Sequence, residues 1–189
     1  MKNKLPIDQL VEEHRVIMNV IDAMSVMAAA LLDGKAIEPP MLLSTVIFMK
    51  TYAGKCHQGK EEGYLFPLLQ TRGVSTNECS VRVLLREHQA EQKLIGSLME
   101  ATQAYAAKNS RETRTTLAGV FQQVINHYPA HVRKEAYFVF PLANKVLSDE
   151  DNQNLLQGFA IVDTAIGRAK LDVQEAWAES LNTQLRNLQ

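Results

Sequence analysis

Two pairs of residues in this sequence have the spacing of metal ligands on a helix. His57 and Glu61 are four residues apart, and so are His131 and Glu135. Residues i and i+4 lie on one face of an α-helix about 5 to 6 Å apart, so each pair can reach the same cation or two adjacent cations. A single histidine precedes each pair at a distance. The candidate metal ligands are His14, His57, Glu61, His88, His131 and Glu135.

An internal repeat with a shift of 74 residues relates the two halves of this set. The shift places His14 on His88 and the first His–Glu pair on the second. Other matches in the same register are Glu13 with Glu87, Ile21 with Ile95, Lys60 with Lys134, and Phe66-Pro67-Leu68 with Phe140-Pro141-Leu142. The repeat indicates two αα-hairpins related by an approximate two-fold axis.

Four imidazoles and two carboxylates are a donor set for transition metals. Neutral imidazole suits iron, copper, nickel and zinc, and a carboxylate has two oxygens with which it can bridge two cations. We expect the two histidines of each half to bind one metal and the two glutamates to lie between the metals. Each metal then has four protein donors. About two octahedral positions remain for a bridging oxo, hydroxo or water species and an exogenous ligand.

The elements that must position these residues are predicted to be helices. Apolar residues recur at intervals of three and four, Gly34 stops the first helix, and Ser75 with Glu78 has the form of a capping box. The first two predicted helices cover residues 7–32 and a stretch from 39 to an end or kink near Pro67. The third covers 75–107, and the fourth covers 111–141 with a bend at Pro129. One further helical segment starts at Ser148, and a terminal helix covers 171–188. The fold class is therefore all-α, with a four-helix bundle over residues 1–147 and a C-terminal helical extension over 148–189.

Composition excludes several other classes of function. The formal charge of −1 provides no long-range attraction to nucleic acid or to anionic membranes. No stretch approaches the roughly 20 apolar residues of a membrane span, and the first ten residues do not read as a signal peptide. Cys56 and Cys79 lack Cys-x-x-Cys spacing, which is compatible with a reducing compartment. We expect a cytoplasmic protein that binds neither nucleic acid nor membranes.

The motifs resemble those of the hemerythrin-like family, also called the HHE cation-binding domain. The resemblance covers about residues 7–145. It rests on His14, on His57-Gln-Gly-Lys-Glu61 followed by Leu65-Phe66-Pro67, on Glu87-His88, and on His131-Val-Arg-Lys-Glu135 followed by Phe140-Pro141. It implies an antiparallel four-helix bundle around a non-haem di-iron centre.

The sequence also departs from the pattern of the oxygen-carrying members. Those proteins have a His-x-x-x-His pair on the third helix and an Asp on the fourth, whereas this chain has Gln92 four residues after His88 and has Glu135 on the fourth helix. The resemblance is therefore closer to the broader group, whose members are linked to nitric oxide stress, peroxide breakdown, iron sensing and repair of iron–sulfur centres. Reversible oxygen carriage is disfavoured.

Three functions remain open at this point. The first is a di-iron protein that binds or reacts with dioxygen, peroxide or nitric oxide in oxidative or nitrosative stress or in iron handling; turnover of peroxide or nitric oxide would make it an enzyme. The second is non-catalytic oxygen or iron storage, delivery or sensing. The third is a partner-binding module that metals only tie together. Zinc or manganese also fits the donors.

A few further residues are candidates for secondary roles. His127 lies four residues before His131 and is an additional candidate ligand, although its counterpart in the repeat is Ala53. Cys56 is next to His57, but adjacent helical side chains point about 100° apart, which directs the thiol away from the metals. The C-terminal extension, with Trp177, is predicted to cover the bundle or to bind a second copy or another protein partner.

Overall fold

The computed structural model describes residues 5–74 and 81–185, and these residues form helices without any strand. The long helices are α1 (Pro6–Leu32), α4 (Val81–Ala107) and α5 (Arg111–Lys134). Between α1 and α4 the chain forms α2 (Pro39–Phe48), the π-helical segments π1 (Met49–Gln58) and π2 (Glu61–Leu65), and α3 (Phe66–Thr71); after α5 it forms π3 (Glu135–Val139), α6 (Phe140–Val146), α7 (Asp149–Ile166) and α8 (Arg168–Gln184). The predicted all-α class is confirmed, and the predicted capping box at Ser75 lies outside the described residues.

The first helix ends where the sequence predicted. Gly34 has a φ of +82°, and the backbone N–H of Lys35 reaches back to the carbonyl of Ala30 at 2.9 Å. A glycine in the left-handed region closes a helix in this way because it has no Cβ to clash.

One composition-based prediction about α1 was too strong. By length and composition alone, Pro6–Leu32 is apolar enough to cross a membrane. However, 56% of its most apolar 18-residue window is buried inside the protein, where it forms core. Such a pattern is also typical of a core helix, so it is weak evidence for a membrane span.

The helical path does not stop at either Phe-Pro dipeptide, so the predicted break at Phe140-Pro141 is wrong, and of the end or kink predicted near Pro67 the end does not occur at the proline. The helical path continues through Pro67 to Thr71 and through Pro141 to Val146. In both places a π-helical segment comes directly before the Phe-Pro, and the N–H of the phenylalanine bonds to the glutamate carbonyl five residues back. The wider π-helical turn accommodates the proline, which has no N–H to donate and whose ring would clash with the preceding turn of a regular α-helix.

The buried apolar side chains form two separate clusters. The larger one is built mainly from the 16–31 part of α1, from α2 and π1, from the C-terminal half of α4, and from α5 and α8. The smaller one contains Ile7 and Leu10 at the start of α1, together with side chains of π2, α3, the start of α4, π3, α6 and α7. Along the sequence, each candidate ligand lies between residues of the larger cluster on one side and residues of the smaller cluster on the other. A buried polar layer therefore separates two apolar cores.

The C-terminal helices pack on the rest of the chain. From α8, Leu171, Ala178 and Leu181 belong to the larger cluster, and Phe159 from α7 belongs to the smaller one. The ring of Trp177 lies 5.8 Å from that of Phe48. Part of the apolar surface of the extension is thus covered within this chain, whereas Ile161 and Val173 are exposed.

Candidate metal centre

The six candidate ligands all project into the polar layer between the two clusters. Each is buried, with an exposed fraction between 0% and 5%. They come from four separate parts of the chain: α1, the π1–π2 region, α4, and the junction of α5 with π3. Burial of this many ionisable side chains is costly unless they are paired or bind a cation.

Their donor atoms form two groups that share both glutamates. In the first group, the donors of His14, His57, Glu61 and Glu135 all lie within 4.8 Å of one another. In the second group, the donors of Glu61, His88, His131 and Glu135 meet the same limit. This is the division that the repeat predicts, with two histidines to each side and two carboxylates between.

Several of these donor atoms have no hydrogen-bond partner. Both carboxylate oxygens of Glu61 and both of Glu135 are fully buried without one, and so are the Nε2 atoms of His14 and His57. Although His14 Nε2 lies 2.9 Å from a Glu135 oxygen, the orientation is not that of a hydrogen bond. Unpaired buried oxygens and nitrogens that converge on shared points are the arrangement expected of a cation site. The residues therefore fit a metal centre.

The electrostatics of the two glutamates differ. Burial, reinforced by the charge of Glu135, raises the pKa of Glu61 well above its usual range. Burial also opposes ionisation of Glu135, but the imidazoles of His131, His14 and His88 outweigh it and lower its pKa. Two carboxylates this close cannot both stay ionised without a compensating positive charge, which metal ions would supply.

The histidines differ in the same way. Burial and the neighbouring His14 ring lower the pKa of His57, although Glu13 opposes the shift. Burial also opposes the charging of His131, yet Glu135 and Glu91 raise its pKa to about 9. Binding of a cation at His131 therefore has to displace a proton.

A second, outer pair of glutamates orients two of the imidazoles. His57 Nδ1 lies 3.1 Å from a Glu13 oxygen, and His131 Nδ1 lies 3.0 Å from a Glu87 oxygen. A carboxylate at Nδ1 fixes the tautomer and directs Nε2 towards the other donor atoms of the group. Sequence reasoning placed these glutamates in the repeat but missed this role. Their presence in the same register as the ligands was the available signal.

Each outer glutamate also pairs with a lysine of the repeat. Lys60 contacts Glu13, and Lys134 contacts Glu87. Lys60 is fully buried and also reaches Asp163 of α7 at 2.7 Å, whereas the side chain of Lys134 is 41% exposed. The C-terminal extension therefore reaches the surroundings of one half of the centre, and this breaks the symmetry of the repeat.

The single histidines are held by stacking. The ring of Phe140 stacks on His14 with centroids 5.3 Å apart, and Phe66 stacks on His88 at 5.9 Å. His88 Nδ1 additionally lies 2.7 Å from Glu62. Phe66 and Phe140, which are matched by the repeat, therefore each cover one of the two single histidines.

His127 lies beside the centre but in neither donor group. Its Nε2 is 3.2 Å from a Glu91 oxygen, and its ring centroid is 6.4 Å from that of His131. Glu91 is buried, and its other oxygen accepts a hydrogen bond from Gln58. Neither Glu91 nor Gln58 was singled out from the sequence, because neither has a polar counterpart in the repeat.

Cys56 and most of the tyrosines near the candidate ligands in sequence do not face the donor atoms. Cys56 donates to Asp163 at 3.3 Å, and burial raises the pKa of its thiol. The Tyr52 hydroxyl donates to Glu175 at 3.1 Å, while Tyr137 is 72% exposed. Of the tyrosines, Tyr128 is the one that lines a small cavity with His14, His57 and His131.

Fold and donor set together define an all-helical protein with buried His/Glu clusters that can hold metal ions. The family model of the hemerythrin HHE cation binding domain matches residues 5–143, and the chain belongs to this family. Searches of curated proteins and of solved structures found no significant match.

Proposed function

We propose that this protein is a non-haem di-iron protein that binds or reacts with a small oxidant, namely dioxygen, peroxide or nitric oxide. The two pseudo-repeated hairpins are proposed to form an antiparallel four-helix bundle, consistent with the packing of α1 on α5, α5 on α4, and α4 on α2. The proposed ligands are the six residues of the polar layer. Bound iron would supply chemistry between the ferrous and ferric states.

One observation carries the proposal. Two groups of four buried donor atoms share Glu61 and Glu135, and all four oxygens of these carboxylates lack a hydrogen-bond partner. A single cation would leave two histidines without a role. Two cations with shared carboxylates satisfy both groups, and the mixed imidazole and carboxylate set suits iron.

The protein's own residues would control the centre in three ways. Glu13 and Glu87 hold the Nδ1 atoms of His57 and His131, which keeps their Nε2 atoms facing the cations. Phe66 and Phe140 close the side of the layer towards the smaller core and exclude water there. The π-helical segments π2 and π3, which begin at the shared glutamates, set the direction of both carboxylates.

The space beside the donors supports a small ligand. The cavity lined by His14, His57, His131 and Tyr128 has a volume of about 10 Å³. This is about the space of one water molecule, so it suits a diatomic molecule or peroxide after slight adjustment.

The test is metal content combined with ligand-dependent spectra. Protein from iron-supplemented cells should contain about two irons per chain, as the two donor groups require. A Glu61→Ala/Glu135→Ala variant should lose both. Glu12→Ala removes an exposed carboxylate next to Glu13 and is the matched control, which should keep both irons.

Optical spectra then decide between the open functions. Changes on addition of oxygen, peroxide or nitric oxide, together with multiple turnovers, would support an enzyme. Spectral changes without turnover would support the alternative of oxygen or iron storage, delivery or sensing. No iron after reconstitution, or iron that is unaffected by the double substitution, would overturn the proposal.

A further inference from the structure

A second and larger cavity lies beside the candidate metal centre, between the π1 region and α4. Its volume is about 650 Å³, and none of the six candidate ligands lines it. Lys50, Lys55 and Glu100 are exposed among its lining residues, whereas Val46 and Met49 are fully buried. The cavity therefore reaches from the surface into the interior.

Two residues line both this cavity and the small cavity at the candidate ligands. They are Gln58, the last residue of π1, and Tyr128 of α5. Gln58 is only 4% exposed and Tyr128 only 3%. Because the same two residues border both spaces, they form the partition between the larger cavity and the donor atoms.

A hydrogen bond between two distant parts of the chain holds one side of this partition. The amide of Gln58 donates to a carboxylate oxygen of Glu91 on α4, and both residues are buried. A hydrogen bond to an ionised acceptor is stronger than one between neutral groups, so this contact fixes the Gln58 side chain in the closed position. Rotation of the side chain breaks the bond without moving the backbone that carries His57.

The repeat gives the opposite side of the small cavity a different chemistry. Val132 stands at the position of Gln58, and Ile17 at the position of Glu91. Both apolar residues line the small cavity, and neither lines the larger one. An amide beside an open cavity can exchange its protein partner for water, whereas a valine packed in the core has no such alternative. Opening is therefore easier on the side of Gln58.

The walls of the larger cavity suit the passage of small uncharged molecules. Met49, Ile95 and Met99 line it, and methionine side chains adapt readily to a passing molecule. Gly54 and Gly96 also line it and contribute no side chain. A Cβ built at Gly96 would meet no atom within 4 Å, so the space beside α4 is open.

We propose that the larger cavity is the entry route for the small oxidant and that Gln58 is its gate. Dioxygen, peroxide or nitric oxide enters between π1 and α4, and rotation of Gln58 away from Glu91 admits it to the small cavity at the donor atoms. Gln58 touches neither the metal nor the reacting atoms, and it controls access alone. This inference rests on the proposed function, because the route leads to the same centre.

Stopped-flow measurement of ligand association tests the route. Nitric oxide is the probe for ferrous protein and azide for ferric protein, each followed by the change in the optical spectrum. Gly96→Phe places a ring in the larger cavity and should lower the association rate constant at least about tenfold. Entry and exit share one path, so the dissociation rate constant should fall by the same factor and leave Kd unchanged. Gly119 of α5 is equally open but does not line the cavity, which makes Gly119→Phe the control.

A second pair of variants tests the gate. Gln58→Ala removes the hydrogen bond that opening has to break, so the association rate constant should rise at least about tenfold, which corresponds to about 1.4 kcal/mol. Val132→Ala is the matched control, because Val132 lines the small cavity but not the larger one. It enlarges the space beside the donors without opening the partition, and it should leave the rate constant unchanged. Neither variant should alter Kd, whereas loss of a residue that contacts the bound ligand would.

The outcomes separate failure of this inference from failure of the proposed function. Wild-type protein that holds no iron, or whose iron binds neither probe, would overturn both. If the wild type binds a probe and Gly96→Phe leaves its rate constants unchanged, the route alone is overturned. Equal rate constants in Gln58→Ala and wild type, or a changed Kd, would overturn the gate. The glycine pair leaves the contact between Gln58 and Glu91 intact, so it decides on the route even if Gln58→Ala does not fold.

Discussion

Each half of the candidate centre contains a chain of contacts from a lysine through a glutamate to an imidazole. Lys60, Glu13 and His57 form one, and Lys134, Glu87 and His131 form the other. Burial opposes ionisation of Glu13, but His57 and Lys60 outweigh it and lower its pKa. The ionised glutamate can then accept a hydrogen bond from Nδ1, so we expect the affinity for a metal to depend on residues that would not touch it.

Replacement of either outer glutamate should weaken metal binding without removing a ligand. For Glu13→Gln and Glu87→Gln we expect a loss of metal affinity of about 10- to 100-fold, because the imidazole is no longer oriented by a carboxylate. Competition with a chromogenic chelator measures this affinity. Glu12→Gln, at an exposed neighbouring position, is the control. An affinity equal to that of the wild type in both variants would contradict the role assigned to these contacts.

Glu61 allows metal binding to be separated from folding. Burial and the charge of Glu135 raise the pKa of Glu61 well above the usual range, so the metal-free protein favours the neutral acid more than an exposed glutamate does. Glu61→Gln is close to that acid in shape and charge, so we expect the metal-free Tm to change by no more than about 3 °C. The rise in Tm on addition of ferrous iron or zinc should disappear. A large fall in the metal-free Tm would show that Glu61 is ionised and paired without metal.

At the level of elements, α7 approaches π2 closely at a glycine. A Cβ built at Gly158 would lie 2.2 Å from Cδ1 and 2.8 Å from Cγ of Tyr64, so the ring itself would have to move. Gly158→Ala should therefore destabilise the protein by about 1 to 3 kcal/mol. Urea unfolding measures the change.

Two companion variants show whether this close approach is the cause. Gly63→Ala, where a Cβ meets nothing within 4 Å, should be neutral or stabilising by up to about 1 kcal/mol. Tyr64→Ala should relieve the clash, so the double variant Tyr64→Ala/Gly158→Ala should lose less stability than the two single losses predict. If the stability losses of the two single variants simply add in the double variant, contact between Tyr64 and residue 158 is not the cause of the loss.

The start of α7 is joined to the end of α3 by an ion pair that makes docking of the extension sensitive to acid. Arg72 donates to both oxygens of Asp151 at 2.8 and 2.6 Å, and Asp151 also accepts from the backbone N–H of Ser148. The Arg72 guanidinium, helped by Ser148, holds the pKa of Asp151 below its usual range. Its stabilising effect is therefore complete above the unfolded pKa of about 3.9 and is lost as the pH falls through the lower folded value.

Comparison of the wild type with Asp151→Asn tests the direction of this pH dependence of stability. The wild type should be more stable in urea at pH 7, and the difference should shrink progressively below about pH 3.9. Asp149→Asn changes an exposed carboxylate on the same helical turn and controls for general charge effects. A difference that grows in acid would contradict the assignment.

At the level of the whole molecule, two apolar clusters enclose one polar layer. The clusters hold the helices together on both sides of the layer, so we expect the chain to fold without metal. The layer itself contains unpaired buried carboxylate oxygens, which make the metal-free state less stable than it would otherwise be.

Removal of metal should accordingly lower the Tm but leave the helical content unchanged. Free metal at 100 times its Kd stabilises the folded state by about 2.7 kcal/mol. Circular dichroism at 222 nm before and after treatment with a chelator, combined with thermal scans, checks both parts. The Glu61→Ala/Glu135→Ala variant should show no response to the chelator. Loss of the helical signal on chelation would mean that the apolar clusters cannot hold the fold alone.

Local spacing in the sequence was enough to predict all six candidate ligands and the helices that present them. His57 with Glu61 and His131 with Glu135 are four residues apart on continuous helical paths, and the repeat pairs them across the chain. Local chemistry also predicted the stop at Gly34 and the helix start at Ser148, whose side chain accepts from the N–H of Asp151. The helix–breaking effect of Pro67 and Pro141 was overestimated, because a π-helical turn depends on packing as well as on sequence.

What the sequence by itself determined is the helical class, the family and the pairing of the candidate ligands, since these follow from short periodicities and from one repeat. The tertiary structure alone decided which partners surround those ligands. The contacts of Glu91 with Gln58 and of Asp163 with Lys60 join residues 33 and 103 positions apart in the chain. No local preference encodes such contacts. They arise because the helices must pack to bury two apolar clusters, and that packing fixes which polar side chains meet in the layer between them.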